Sequence, residues 1–327
     1  MKWLVLAVFG ILACVINVSA HAQAYPNKLI KIIEPAGPGS AVDVFARQLI
    51  PGLTEALGRP VIVENRAGAN SAIGAKEAAR AAPDGYTVFH GNINNSLNDL
   101  LSSDTCCRLT EAFIPITRVA STPLVMVVHP SVPANTLKEY IALAKSKPQT
   151  LTFASGGLGA ITQLLGEKVK SAAGIQVREV PYKAIGAELP DLLAGHVLTA
   201  YLAPVVIAQF VQSGKLRALA VPSTRRVSSM PNVPTFAEAG LPGVEATGWN
   251  GFFVPAGTPP EIVRRLQVET ARVLNTPAFK AEAQDKGYDL GGDSSEEFTA
   301  FIRSEIVKWG QVIKESNIKL EIGRAHV

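Results

Sequence analysis

Residues 32–47, IIEPAGPGSAVDVFAR, decide the fold. An apolar run meets a bend rich in proline and glycine and then an amphipathic helix, so the order is strand, loop, helix. Gly37 and Gly39 are expected to let the backbone take conformations closed to other residues, and Ser40 and Asp43 are placed to cap a helix that begins near Val42. Unpaired amides at such a helix start, with the positive end of the helix dipole behind them, form a site for a carboxylate or phosphate. Every strand-to-helix turn of an α/β protein shares this shape. The stretch alone therefore announces α/β, and the rest of the chain must decide whether an anion binds there.

Outward from this stretch the pattern repeats. Residues 29–33 form the strand before it, and the helix over 42–57 carries Phe45, Leu49, Leu53 and Leu57 on one stripe before Gly58 stops it. A short strand at 61–63, a polar loop at 64–70, an alanine-rich helix at 73–82, the turn Pro83-Asp84-Gly85 and a strand at 86–90 follow. Three strands with intervening helices make a parallel sheet, whose ligands bind beyond the strand carboxyl ends. The polar segment 91–95 lies on that edge and offers Asn92 and Asn95 as contacts, with strand-end packing or turn capping as the alternative.

Residues 123–129 read as a strongly apolar strand and 136–147 as a helix opened by Asn135. Then comes a second strand-loop-helix unit, with a strand at 151–154, the loop Ser155-Gly156-Gly157-Leu158-Gly159 and a helix at 161–173 that begins with Ile161 and Thr162. The chain has thus built its anion-type bend twice. A strand at 177–180 leaves through Pro181-Tyr182-Lys183, a helix covers 187–194, and a strand at 196–201 ends on Tyr201. Residues 216–221 are apolar again and return the chain to the first part. A turn-rich segment at 222–242, a strand at 248–254 and helices at 259–274 and 295–317 complete the pattern. Lys183 is the cation nearest the presumed cleft, with a solvated turn lysine as the alternative. Tyr182 and Tyr201 are candidate contacts, with strand-end packing as theirs. Asp43 and Glu167 would repel an anion if they pointed inward, so both are expected to be structural, as a cap and a helix-surface charge.

At 327 residues the chain is long enough for two α/β lobes, each with its own core. Hydrophobic residues make up 47% and charged residues 18%, which places it among globular and not disordered chains. The formal charge of +4 is spread without basic runs or interleaved aromatics, so no nucleic-acid partner is expected. Lys2, the apolar segment 3–18 and the small residues to Ala24 read as a signal peptide over 1–24, cut after Ala24, for export to the periplasm. A retained anchor is disfavoured because spanning a bilayer takes about 20 apolar residues. Lipidation at Cys14 is a further alternative, behind the better cleavage site downstream. Cys106 and Cys107 are adjacent, with Cα atoms about 3.8 Å apart, so they are either two thiols or a strained vicinal bridge. No Cys-x-x-Cys or clustered histidine suggests a metal. Residues 321–327 follow a complete amphipathic helix, match the translation of a common sequencing-adapter sequence, and are expected to be a non-native tail.

Enzyme readings fare poorly. Gly157-x-Gly159-x-x-Thr162 after a strand, with Glu179 twenty residues past Gly159, imitates a dinucleotide fingerprint but lacks its third glycine, and an exported protein meets little free nicotinamide cofactor. Gly-x-Ser-x-Gly does not occur. No cofactor, no catalytic residue and no metal are expected.

Read together, these stretches resemble the Bug-type receptors, the extracytoplasmic solute-binding proteins of tripartite tricarboxylate transporters. The resemblance covers 25–320 and rests on Tyr25-Pro26, Val63-Glu64-Asn65-Arg66, Ala81-Ala82-Pro83-Asp84-Gly85-Tyr86-Thr87, Ser121-Thr122-Pro123-Leu124 and Val180-Pro181-Tyr182-Lys183. It continues through residues 214–221, Pro231-Asn232-Val233-Pro234-Thr235, Ala237-Glu238-Ala239-Gly240 and Pro255-Ala256-Gly257-Thr258-Pro259. It implies a type II periplasmic-binding-protein fold, two α/β lobes around a ligand cleft. The crossings would fall near Pro123 and Pro222, giving lobe 1 as 25–122 plus 223–320 and lobe 2 as 123–222. It also implies a monomer that closes over a small carboxylate and delivers it to membrane transporter subunits, or presents its closed form to a membrane sensor.

In such receptors a carboxylate is held largely by backbone amides and waters of two loops. These match 36–43, with Ala36, Gly37, Gly39 and Ser40, and 155–162, with Ser155, Gly156, Gly157, Gly159, Ile161 and Thr162. The chain departs from the family where an aromatic is usual (Ala36), where further glycines are usual (Ser40, Ala41, Val42), and where the second loop usually has a polar residue (Leu158) and its helix a histidine (Gln163). An aspartate position that suits an amine-bearing ligand reads Leu202. Losing that acid implies a carboxylate with an apolar or weakly polar body.

Overall fold

The structure, a computed structural model, describes residues 25–101, 107–183 and 186–315. The expected signal peptide, the cleavage and lipidation sites, Cys106 of the vicinal pair and the tail at 321–327 lie outside the described residues.

The chain opens with β1 (Ile30–Glu34), α1 (Ala41–Leu57), β2 (Val61–Asn65), α2 (Ala72–Ala79), β3 (Thr87–Asn92) and α3 (Ile93–Leu101). A single turn, α4 (Leu109–Ala112), leads into β4 (Phe113–Pro123). Then come β5 (Val125–Val128), α5 (Leu137–Ser146), β6 (Thr152–Ser155), α6 (Ile161–Ala173), β7 (Arg178–Pro181), α7 (Leu189–Leu193), β8 (Thr199–Leu202), α8 (Pro204–Gln212) and β9 (Arg217–Ala220). The last elements are β10 (Thr247–Pro255), α9 (Pro260–Leu274), α10 (Pro277–Asp285), β11 (Asp289–Leu290) and α11 (Ser295–Glu315). They form a six-stranded sheet in the order β11-β4-β10-β3-β1-β2 and a five-stranded sheet in the order β7-β6-β8-β5-β9.

In the first sheet β1 pairs in parallel with β2 and β3, as the opening pattern predicts, and β10 and β4 extend it antiparallel. Both faces are covered, which is why β1 reads as a nearly continuous apolar run. Ile30 and Ile32 enter a core with the α1 stripe of Phe45, Leu49, Leu53 and Leu57, while Ile33 joins another that reaches into the second lobe. Ser40 caps α1 by accepting the Asp43 amide, and Gly58, at φ 65°, ends it by returning its own amide to Thr54 and Glu55.

Four expectations are corrected. Residues 123–129 are not one strand, because β4 ends in the first sheet at Pro123 and β5 starts in the second at Val125. The apolar run ending at Val221 does not itself return, since β9 pairs with β5 in the second sheet and the chain returns between β9 and β10. Helix α5 is opened by Thr136, whose hydroxyl accepts from the Glu139 amide, while the Glu139 carboxylate takes the amide of Asn135, the residue before the cap. Gly39, Gly157 and Gly159 have positive φ values of 80°, 95° and 76°, whereas Gly37 does not have a positive φ.

Candidate functional site

The carboxyl ends of β1, β2 and β3 and the facing loops of the second lobe enclose a cavity of about 100 Å³, room for a few waters or a small organic acid. The first lobe contributes Ala36, Ser40, Ala41, Val42, Asn70, Ser71, Asn92 and Asn94, and the returning β10 contributes Trp249 and Asn250. Gly156, Ile161, Lys183, Leu202 and Val206 close it from the second lobe, with Thr122 and Leu124 at the crossing.

The N-terminal ends of five helices meet at this cavity. Ala41 and Val42 begin α1, Ser71 caps α2, Ile93 begins α3, Ile161 begins α6, and Ala203 caps α8. Each helix dipole directs partial positive charge at this end, although the Ala72, Ile73, Asn94 and Ile161 amides are already bonded within the protein. Among the described residues no carboxylate lines the cavity, and the charged residue on its wall is Lys183. The amides of Ala41 and Val42 make no hydrogen bond among the described residues.

The first loop is braced from beneath. Asp43 accepts from the Gly39 amide at 2.9 Å, from Arg47 at 3.0 Å and from the Asn65 side chain at 2.8 Å, and Asn65 also donates to the Ala36 carbonyl at 3.0 Å. Burial pushes the Asp43 carboxyl up, but the bonds from Arg47, Gly39 and Asn65 outweigh it and hold the group below the usual carboxylate range. Asp43 points into this brace. Glu167 is ion-paired with Lys170 on α6, away from the cavity lining.

The second loop differs, because the protein itself occupies its amides. Gly156 donates to the Thr162 hydroxyl at 2.9 Å, Gly159 to the Gln163 side chain at 2.7 Å, and Gly157 to the Ser155 hydroxyl at 3.3 Å. The Ile161 amide crosses the cleft to Asn94 Oδ1 at 3.0 Å. One buried hydrogen bond thus ties α3 of the first lobe to α6 of the second.

Of the residues expected from sequence, Ala36, Ser40, Asn92, Gly156 and Ile161 line the inner cavity. Asn95, Gly157 and Tyr182 line a wider outer groove of about 1000 Å³, which shares Gly68, Asn70, Gly156 and Lys183 with the cavity. Gly37, Gly39, Ser155, Gly159 and Thr162 line neither and shape the loops. Tyr201 is 2% exposed and packs against Phe153 in the core. Sequence reasoning missed Asn94, Thr122, Val206, Trp249 and Asn250. The run Asn92-Ile93-Asn94-Asn95 was a usable signal, but only the fold shows which asparagine reaches the other lobe. It also missed a left-handed turn on the cavity wall, where Ala69, Asn70 and Ser71 have φ values of 46°, 50° and 74° without a glycine among them.

Comparison with known proteins agrees with this architecture. The family model for the tripartite tricarboxylate transporter family receptor matches residues 45–318. Protein BugT of Bordetella pertussis is 34% identical over 320 residues, 97% of this chain and 98% of the relative. A solved structure of a periplasmic transporter superposes with a TM-score of 0.87 at 35% identity, covering 91% of this chain and all of that one. R. palustris Rpa4515, solved with adipate, superposes with a TM-score of 0.86 at 28% identity, over 90% of this chain and 98% of the other.

Proposed function

Because this chain belongs to the family of tripartite tricarboxylate transporter receptors, we propose that it is a periplasmic receptor that captures a small carboxylate between its lobes and delivers it to membrane transporter subunits. No covalent chemistry is involved. The observation that carries this reading is the meeting of five helix N-termini at a cavity whose wall, among the described residues, has no carboxylate. Such a wall stabilises an anion and repels nothing negative. Rpa4515, solved with adipate, supports the ligand class. Leu124, Leu202, Val206 and Trp249 suit an apolar or weakly polar body.

The lobes, residues 25–122 with 223–320 and residues 123–222, close about the crossings as a monomer. The ligand's carboxylate sits on the Ala41 and Val42 amides. Ala41→Pro tests this placement, since proline is well tolerated at the first helical position and Ser40, at φ −66° and ψ 161°, already has the extended backbone that precedes proline. The variant removes one amide donor, and Ala41→Val adds bulk while keeping it. In calorimetric titrations with adipate and benzoate, Ala41→Pro is expected to weaken binding at least tenfold and clearly more than Ala41→Val. Equal effects of the two variants would contradict the placement.

A further inference from the structure

Three buried side chains, Asn250 on the cavity wall and two behind it, remain without a role in this binding mode. Glu34 on β1, His90 on β3 and Asn250 on β10 are 0%, 0% and 3% exposed. Glu34 Oε1 accepts from the Ala36 amide at 3.0 Å, and its Oε2 lies 2.6 Å from His90 Nδ1. On the far side of the ring, His90 Nε2 lies 2.9 Å from Asn250 Oδ1. Phe252 packs edge-on against the imidazole at 5.1 Å. Arg47, paired with Asp43, lies within electrostatic reach of Glu34, and the ion pair that His90 makes among the described residues is with Glu34.

A carboxylate accepts hydrogen bonds, so Nδ1 carries a proton. The Asn250 oxygen placed beside Nε2 also accepts, so this arrangement calls for a second N–H there. A ring that donates from both nitrogens beside the Glu34 carboxylate keeps the buried charge paired. Asn250 lines the cavity, and with its Oδ1 held by the ring its Nδ2 makes no hydrogen bond among the described residues. We propose that Asn250 is a ligand-binding residue whose Nδ2 donates to an oxygen of the bound carboxylate, and that His90 and Glu34 are positioning residues that hold the amide in that orientation. A neutral ring with a lone pair on Nε2 would turn the amide over and present its oxygen to the cavity. The doubly protonated ring therefore fixes whether this wall donates or accepts, and so whether an anion is welcome. The ligand part rests on the receptor reading, whereas the state of the ring does not.

Two measurements test the proposal. Nitrogen NMR of unliganded protein labelled at histidine, assigned with His90→Gln, is expected to show both His90 ring nitrogens protonated at pH 7. An unprotonated His90 nitrogen would overturn the assignment. Titration with adipate is expected to show binding weakened at least tenfold in Asn250→Asp, which puts a carboxylate on the wall. The double variant Glu34→Gln/His90→Leu removes both charges together, so neither is left unpaired, and is expected to lose affinity as Asn250→Ala does. Wild-type affinity in Asn250→Asp would overturn the ligand role. Failure of adipate and every other acid to bind the wild type would defeat the receptor reading, and the ring signals would still decide the state of His90.

Discussion

Gly39 has a φ of 80°, a conformation that favours glycine, whereas Gly37, two residues earlier, does not have a positive φ. Sequence could mark the bend, the Ser40 cap and the Phe45 stripe because each is encoded within a few residues. It could not show which glycine the bend needs, nor that Glu34, His90 and Asn250 meet, since the last two are 160 positions apart. Asp99 is another residue whose state only the fold reveals. Burial pushes its carboxyl up to about 7, against the pull of the Leu109 amide and the charge of Arg108, with Glu111 adding to the rise. A carboxyl raised in the folded state contributes its stability below the unfolded value near 4, and that contribution is lost as pH climbs through the folded value. Asp99→Asn is therefore expected to raise Tm at pH 8 and to change it little at pH 4. Equal gains at both pH values would contradict the assignment.

Among the elements, those made of local pattern were legible and those made by pairing were not. Helices α1 and α6 and strands β1 to β3 follow from apolar periodicity and capping residues. Strand β4 escaped because Pro115 and Arg118 interrupt its apolar run, and its place depends on β10, which pairs along its whole length with two register shifts. Apolar pattern alone did not mark the switch of sheets at Leu124, since one apolar run feeds both; the family resemblance, with its crossing near Pro123, did. At the centre of this pairing Gly251 sits opposite Gly91, and a Cβ on Gly251 would come within 2.3 Å of the Phe298 ring and 2.8 Å of the Thr117 carbonyl. Gly251→Ala is expected to destabilise the fold by about 1–3 kcal/mol in denaturant unfolding, the usual range for overpacking. A loss within experimental error would show that Phe298 and the strand yield freely.

At the scale of the whole molecule, the two lobes meet through the Asn94 to Ile161 hydrogen bond and through a cavity that both of them line. Neither lobe alone encloses the site. Asn94→Ala removes this tie and is expected to enlarge the radius of gyration of the ligand-free protein in small-angle scattering, with ligand restoring compactness. An unchanged radius would show that apolar contacts alone keep the lobes together. The central claim is that the cavity between the lobes takes a small carboxylate, and a thermal-shift panel of mono- and dicarboxylates on the chain from Tyr25 onward, verified as folded and ligand-free, tests it most directly. An acid at about 100 times its Kd adds about 2.7 kcal/mol, which corresponds to a rise of roughly 5–10 °C at about 2–4 °C per kcal/mol. The account predicts such a rise for at least one acid, reduced by Ala41→Pro and by Asn250→Asp. No shift with any carboxylate would contradict it.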